Sequence, residues 1–183
     1  RFKSIAKISS KYGYTKPYID NNSEKSYIDF EEIRHPIIER INNDIDYVTN
    51  NVCLGRDDYG LLLFGTNASG KSSLMKAVGL NVILAQCGFF VCAKSFKFKP
   101  FKNIFTRINN NDNIFKGESS FAVEMSELRS ILKRSCSNSI VLGDELCSGT
   151  ESISALSIFS SSVVKLNEKK TTFIFATHLH ELC

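Results

Sequence analysis

The sequence predicts an α/β protein of the P-loop type, a doubly wound, mostly parallel sheet with helices on both faces, and three stretches carry that prediction. Leu61-Leu62-Leu63-Phe64 is a continuous apolar run that leads into a glycine loop, as expected of a strand buried on both faces. Ser139-Ile140-Val141-Leu142-Gly143-Asp144-Glu145 is a second apolar run, closed by two acids. Thr171-Thr172-Phe173-Ile174-Phe175-Ala176-Thr177 is a third, rich in β-branched and aromatic residues. Helical spacing of apolar residues separates the runs, the pattern of strands joined by crossover helices.

Composition sets the frame. A chain of 183 residues suits one domain with a real core. Apolar content of 43% and charged content of 23% are those of an ordinary globular protein. No apolar run reaches the roughly 20 residues of a membrane helix, and Arg1-Phe2-Lys3-Ser4 does not open a signal peptide. Arg1 in place of an initiator Met, and an end at Cys183 just after a strand, predict an excerpt from a longer protein. Cys53, Cys87, Cys92, Cys136, Cys147 and Cys183 form no C-x-x-C pair. Reduced thiols in an intracellular protein are therefore expected, with the compartment left open. A net charge of +4 is compatible with a nucleic-acid partner without requiring one.

Taken in order, Phe2, Ile5, Ala6 and Ile8 predict the end of an amphipathic helix stopping near Gly13. Asp20 to Lys25 reads as a loop, so residues 1–25 are expected to hand over to a nucleotide-binding domain at 26–183. Tyr27, Ile28 and Phe30 predict a strand, and Pro36 ends the segment after it. His35 is expected to serve a structural hydrogen bond. After the glycine loop, Leu74, Ala77, Val78, Val82 and Ala85 predict a helix. Lys94 to Arg107 interleaves basic residues with Phe96, Phe98, Phe101 and Phe105. That alternation suits a single-strand nucleic-acid platform or, as favoured here, a half-buried strand with a basic outer face. Val123, Leu128, Ile131 and Leu132 predict a helix with Ser120 as its N-cap; its end could bind an anion, though capping alone accounts for Ser119 and Ser120. Ile153, Leu156, Phe159 and Val163 keep helical spacing in a serine-rich segment that should rely on packing.

The chemistry gathers at the ends of the predicted strands. Gly65-Thr66-Asn67-Ala68-Ser69-Gly70-Lys71-Ser72-Ser73 matches G-x-x-x-x-G-K-[ST] in full, between a strand and a helix. Gly65 and Gly70 permit the tight turn that turns backbone N–H groups onto phosphate oxygens. Lys71 is expected to reach the β- and γ-phosphates, and Ser72 to ligate Mg²⁺. Asp144 would hold Mg²⁺ through water, while Glu145 would polarise the attacking water. A polar residue at 178 is placed to sense a γ-phosphate at the same sheet edge; a zinc site at His178 and His180 would lack a third ligand nearby.

Together these motifs resemble the MutS DNA mismatch-repair ATPases. The pieces that carry the resemblance are Arg34-His35-Pro36, the Gly65–Ser73 loop with Asn67, Ala85 to Ala93, and Ile104 to Ile108. Gly117-Glu118-Ser119-Ser120-Phe121-Ala122-Val123-Glu124-Met125, Asp144 to Thr150 and Ala176 to Leu182 complete it. The resemblance implies an ABC-type ATPase that uses ATP and Mg²⁺, dimerises with an identical or different MutS-type subunit, and sandwiches nucleotide between subunits. It implies that Asn67 contacts phosphate, that His178 lies near the γ-phosphate, that Ser119 approaches the partner's nucleotide in trans, and that Tyr47 stacks on adenine. Residues 1–16 resemble the end of the family's lever helix. Mismatched double-stranded DNA would be read by modules upstream.

Some positions depart from the family pattern: Thr66 and Ala68 replace Pro and Met, Gly143 an aliphatic residue, and Ser154-Ala155 an Asp-Gly pair. Leu146 to Glu151 is similar to the branch found in giant viruses and coral mitochondria. An ABC transporter subunit, a recombination or chromosome-maintenance ATPase, or a clamp that binds ATP without turnover are the alternatives. The first two would carry Leu-Ser-Gly-Gly-Gln where Gly117 to Phe121 stand.

Overall fold

The computed structural model describes residues 2–41, 47–66, 69–108, 120–147 and 151–177. In chain order the elements are α1 (Phe2–Tyr12), β1 (Tyr18–Ile19), β2 (Tyr27–Ile33), α2 (Ile38–Ile41), β3 (Asn50–Leu54), β4 (Gly60–Leu63) and α3 (Lys71–Gln86). They continue with β5 (Ser95–Lys99), β6 (Asn103–Arg107), α4 (Ser120–Arg134), β7 (Ser139–Asp144), α5 (Ser152–Glu168) and β8 (Thr172–Ala176).

Two four-stranded sheets form the frame. One is parallel throughout, in the order β4-β8-β7-β6. Every residue of β7 and β8 is buried, which is why both strands read as unbroken apolar runs. Successive side chains still point to opposite faces. Ile140, Leu142 and Ile174 pack with Met75, Val78 and Val82 of α3. Val141, Phe173 and Phe175 pack with Phe159 and Leu166 of α5 and Ile131 of α4. β4 lies at the sheet edge, so its leucines are only half-buried, not enclosed on both faces as expected.

Gly143 shows why the chain departs from an aliphatic residue there. It pairs with Phe175 on β8, and a Cβ at 143 would sit 2.7 Å from the Phe175 ring. The large neighbour has taken the volume a side chain would need.

The second sheet runs β1-β5-β2-β3, with β1 parallel to β5 and the other pairs antiparallel. Phe30 and Phe96 stack with ring centroids 3.7 Å apart, and Phe98 stacks on Phe96 at 4.7 Å. Phe96 and Phe98 are buried, while Lys97 is exposed. Lys94 to Lys99 is thus a core strand with a basic outer face, and its aromatics are not free to stack on bases.

The segment ahead of residue 26 makes backbone pairs with the second sheet. Tyr18 and Ile19 pair with Lys97 and Phe98, and Thr15 bridges to Val91. Backbone pairing thus joins Thr15, Tyr18 and Ile19 to the elements beyond residue 90. α4 already includes Ser120, which is therefore a helical residue and not the N-cap expected; the residues before it lie outside the described ones.

Candidate functional site

Strand register brings the sequence motifs together. Leu63 on β4 and Asp144 on β7 both pair with Ala176 on the intervening β8, so the three residues form one row across the parallel sheet. The glycine loop leaves β4 just past that row, and Glu145 leaves β7 just past it. Thr177 N–H donates to the Leu63 carbonyl (3.1 Å), which pins the loop's root to the end of β8. All of this lies at the carboxyl edge of the strands, where open α/β sheets bind ligands.

Within the loop, Gly65 has φ 146° and Gly70 has φ 94°, both in the region that favours glycine. A Cβ at Gly65 would meet Ser69 Oγ at 2.9 Å. Gly70 occupies the N-cap of α3 without a side-chain cap among the described residues, which leaves the first N–H groups of that helix for another acceptor. Lys71 folds back over the loop, its Nζ donating to the carbonyls of Gly65 (2.6 Å) and Thr66 (2.8 Å). Ser69 is exposed just ahead of α3, and Ser72 and Ser73 lie half-buried in its first turn.

On the acidic side, Asp144 is 9% exposed and its Oδ1 is buried with no hydrogen-bond partner among the described residues. A buried, unpartnered carboxylate oxygen fits a cation site. Glu145 has φ 51° and donates its N–H to the Ala176 carbonyl (2.9 Å). Cys147, two residues on, has φ 64°. A non-glycine residue in this region costs about 1–2 kcal/mol, so the turn after β7 must be held from outside. Part of that hold is Glu124 of α4, whose Oε1 accepts the Cys147 N–H at 2.8 Å. Burial, and then the Glu124 charge, push the Cys147 thiol up to about 11, so it stays protonated.

Tyr47 is half-buried, and burial raises its hydroxyl pKa against a hydrogen bond from the His35 backbone. His35 is itself buried, and its Nδ1 accepts from the N–H groups of Ile37 and Ile38 (3.2 Å each), a structural role. The Lys76 charge acts on His35, which sets the Tyr47–His35 pair beside α3. Asn81, wholly buried in α3, donates to the Arg34 carbonyl (3.0 Å) and accepts from Cys92 N–H (2.7 Å). It joins the Arg34-His35-Pro36 and Ala85–Ala93 motifs to the helix that follows the loop.

The structure thus brings Gly65, Thr66, Ser69, Gly70, Lys71, Ser72 and Ser73 to the same sheet edge as Asp144 and Glu145. Asn67, Ala68, Ser119 and His178 lie outside the described residues. Sequence reasoning missed the roles of Glu124 and Asn81. A buried polar residue on a helix face was the available signal, but their partners are 23 and 11 or 47 positions away. Among the described residues, no group of three or more His, Cys, Asp or Glu could hold a metal by itself, and no helix is long and apolar enough to cross a membrane.

Comparison with known proteins gives this site a lineage. The family model for MutS domain V matches residues 61–183, which include both the loop and the acidic strand end. A mitochondrial DNA mismatch repair protein mutS homolog of Sarcophyton glaucum is 39% identical over 176 residues, 94% of this chain and 18% of that protein. A DNA mismatch repair mutS homolog of Acanthamoeba polyphaga mimivirus is 40% identical over 215 residues, covering 98% and 19%. The DNA mismatch repair protein MutS of Salinibacter ruber is 38% identical over 186 residues, covering 99% and 20%. The chain belongs to the MutS family of DNA mismatch repair proteins. It spans about a fifth of the length of these relatives, and a mitochondrial and a viral protein among them match the branch that Leu146 to Glu151 resembles.

Proposed function

We propose that this chain is the ATP-binding and ATP-hydrolysing domain, of ABC-ATPase type, of a DNA mismatch-recognition protein that works as a dimer. The observation that carries the reading is the row Leu63–Ala176–Asp144, which sets a glycine loop and a helix start beside a carboxylate, the helix uncapped by a side chain and one buried carboxylate oxygen unpartnered among the described residues. Backbone N–H groups at the start of α3 bind phosphate oxygens, and Lys71 exchanges its two carbonyl partners for them. Asn67 adds a phosphate contact, and Tyr47 stacks on the base. Ser72 and Asp144 would hold Mg²⁺, which supplies charge neutralisation on the phosphates when bound. Glu145 orients the attacking water and takes its proton, with His178 beside the γ-phosphate. Ser119 completes the partner subunit's site, and ATP turnover drives a change in the grip on mismatched DNA held by modules upstream.

The test is binding of a fluorescent ATP analogue alongside steady-state phosphate release. Lys71→Ala should weaken binding at least about tenfold by removing a charged phosphate partner. Glu145→Ala should bind within about threefold of wild type and lose turnover by about 10²-fold or more. Normal hydrolysis by either variant would overturn the assignment.

A further inference from the structure

We infer that Glu124 is a positioning residue for hydrolysis, fixing Glu145 by gripping the backbone of the turn that follows it. The inference rests on the ATPase reading above. Glu145 and Cys147 both take left-handed backbone angles within three residues, an arrangement that persists only when surrounding structure over-determines it. Four ties do so. Glu145 N–H is held by Ala176 O, Leu146 and Cys147 are buried in the cluster around Phe159 and Phe175, and Cys147 N–H is held by Glu124. The first three come from the sheet or its apolar cover. Glu124 is the tie that comes from a charged side chain on another element.

Its setting separates it from an ordinary surface acid. Glu124 is buried, whereas the next acid on α4, Glu127, is half-buried and pairs with Arg107 (3.2 Å). A carboxylate accepting a backbone N–H makes a charge-assisted bond, stronger than a neutral cap. Losing it would leave Cys147 N–H buried and unsatisfied and let the turn drift. A carboxylate that orients water tolerates little drift, so the loss should be read in turnover more than in nucleotide binding, which the glycine loop supplies from the far side of β8.

The experiment compares the full-length wild-type protein with Glu124→Met, Glu124→Asp and Glu124→Gln in ATP hydrolysis, ATP-analogue binding and thermal unfolding. Met fills the space without an acceptor, and Asp keeps the charge but is one methylene too short. Gln keeps an oxygen at the same reach. Met and Asp should each lower kcat at least about tenfold with KM and analogue affinity within about threefold, and Gln should return kcat to within about threefold of wild type. Should the Met variant not fold, the contrast between Asp and Gln carries the test alone. An unchanged kcat in Asp, a Gln variant as slow as Asp, or a kcat loss that merely tracks loss of thermal stability and affinity would each overturn the inference. Absence of turnover in the wild type would instead overturn the ATPase reading, and this inference with it.

Discussion

Lys71 and Asp144 carry opposite charges at one sheet edge and are held in opposite ways. The ammonium rests on two loop carbonyls, while the carboxylate keeps one buried oxygen without a partner among the described residues. Leaving such an oxygen unpaired costs about 1–3 kcal/mol, which fits a group kept ready for a cation. Both residues were legible in the sequence because their chemistry is encoded in a contiguous motif. Glu124 was not, since nothing near it in the chain announces a contact with residue 147. His35 carries a prediction at this scale. Its Nδ1 accepts two backbone N–H groups, so it must be unprotonated, and burial followed by the Lys76 charge lowers its pKa below the usual 6.5. The folded protein then binds the proton less readily than the unfolded chain. Stability should be whole above about pH 6.5 and fall as pH drops through the window beneath it. The urea midpoint should decline from pH 7.5 to 5.5 in wild type and decline less in His35→Asn, whose oxygen can still accept; equal declines would refute this account.

At the level of elements, legibility followed local signal strength. α3, β7 and β8 are apolar runs or apolar periodicities that the fold simply buries. β1 is two residues long and exists because β5 offers it an edge, and β3 opens with two asparagines that propensity alone would not place in a strand. The serine-rich α5 is legible from its apolar spacing. Ser157, Ser161 and Ser162 satisfy their hydroxyls on the carbonyls four residues back, so they need no outside partner. Asn81 is the point where α3 and the two connecting segments at Arg34 and Cys92 depend on one side chain. Asn81→Leu would keep the volume of a buried residue but strand the Cys92 N–H and loosen the Arg34 carbonyl. With each stranded group costing about 1–3 kcal/mol, a loss of about 2–4 kcal/mol in unfolding free energy is expected by denaturant titration. A loss under about 1 kcal/mol would mean that the surrounding backbone finds other partners.

Two arginines join the end of α1 to the rest of the molecule. Gly13, at φ 62°, ends the helix, and Tyr14 N–H closes it on the Ser9 carbonyl (2.9 Å). Arg34 donates to the carbonyls of Tyr12 (3.3 Å) and Gly13 (3.0 Å), while its own carbonyl is held by Asn81 of α3. Arg40, from α2, lies over the rings of Tyr12 (4.2 Å) and Tyr14 (5.3 Å) and donates to the Tyr14 hydroxyl (2.7 Å). Arg34 thus contacts α3, the helix that follows the glycine loop, on one side and the end of α1 on the other. The link on the α1 side is the weaker, since exposed cation–π contacts contribute only about 0.5–1 kcal/mol each. Removing it should free α1 without touching the parallel sheet. In Arg40→Ala, amide hydrogen exchange across Phe2–Tyr12 should quicken by roughly tenfold, while β7 and β8 exchange as in wild type. Unchanged exchange in α1 would show that Arg34 and the sheet contacts at Thr15 and Tyr18 hold the helix without Arg40, and parallel acceleration in β7 would show that the clamp supports the core instead.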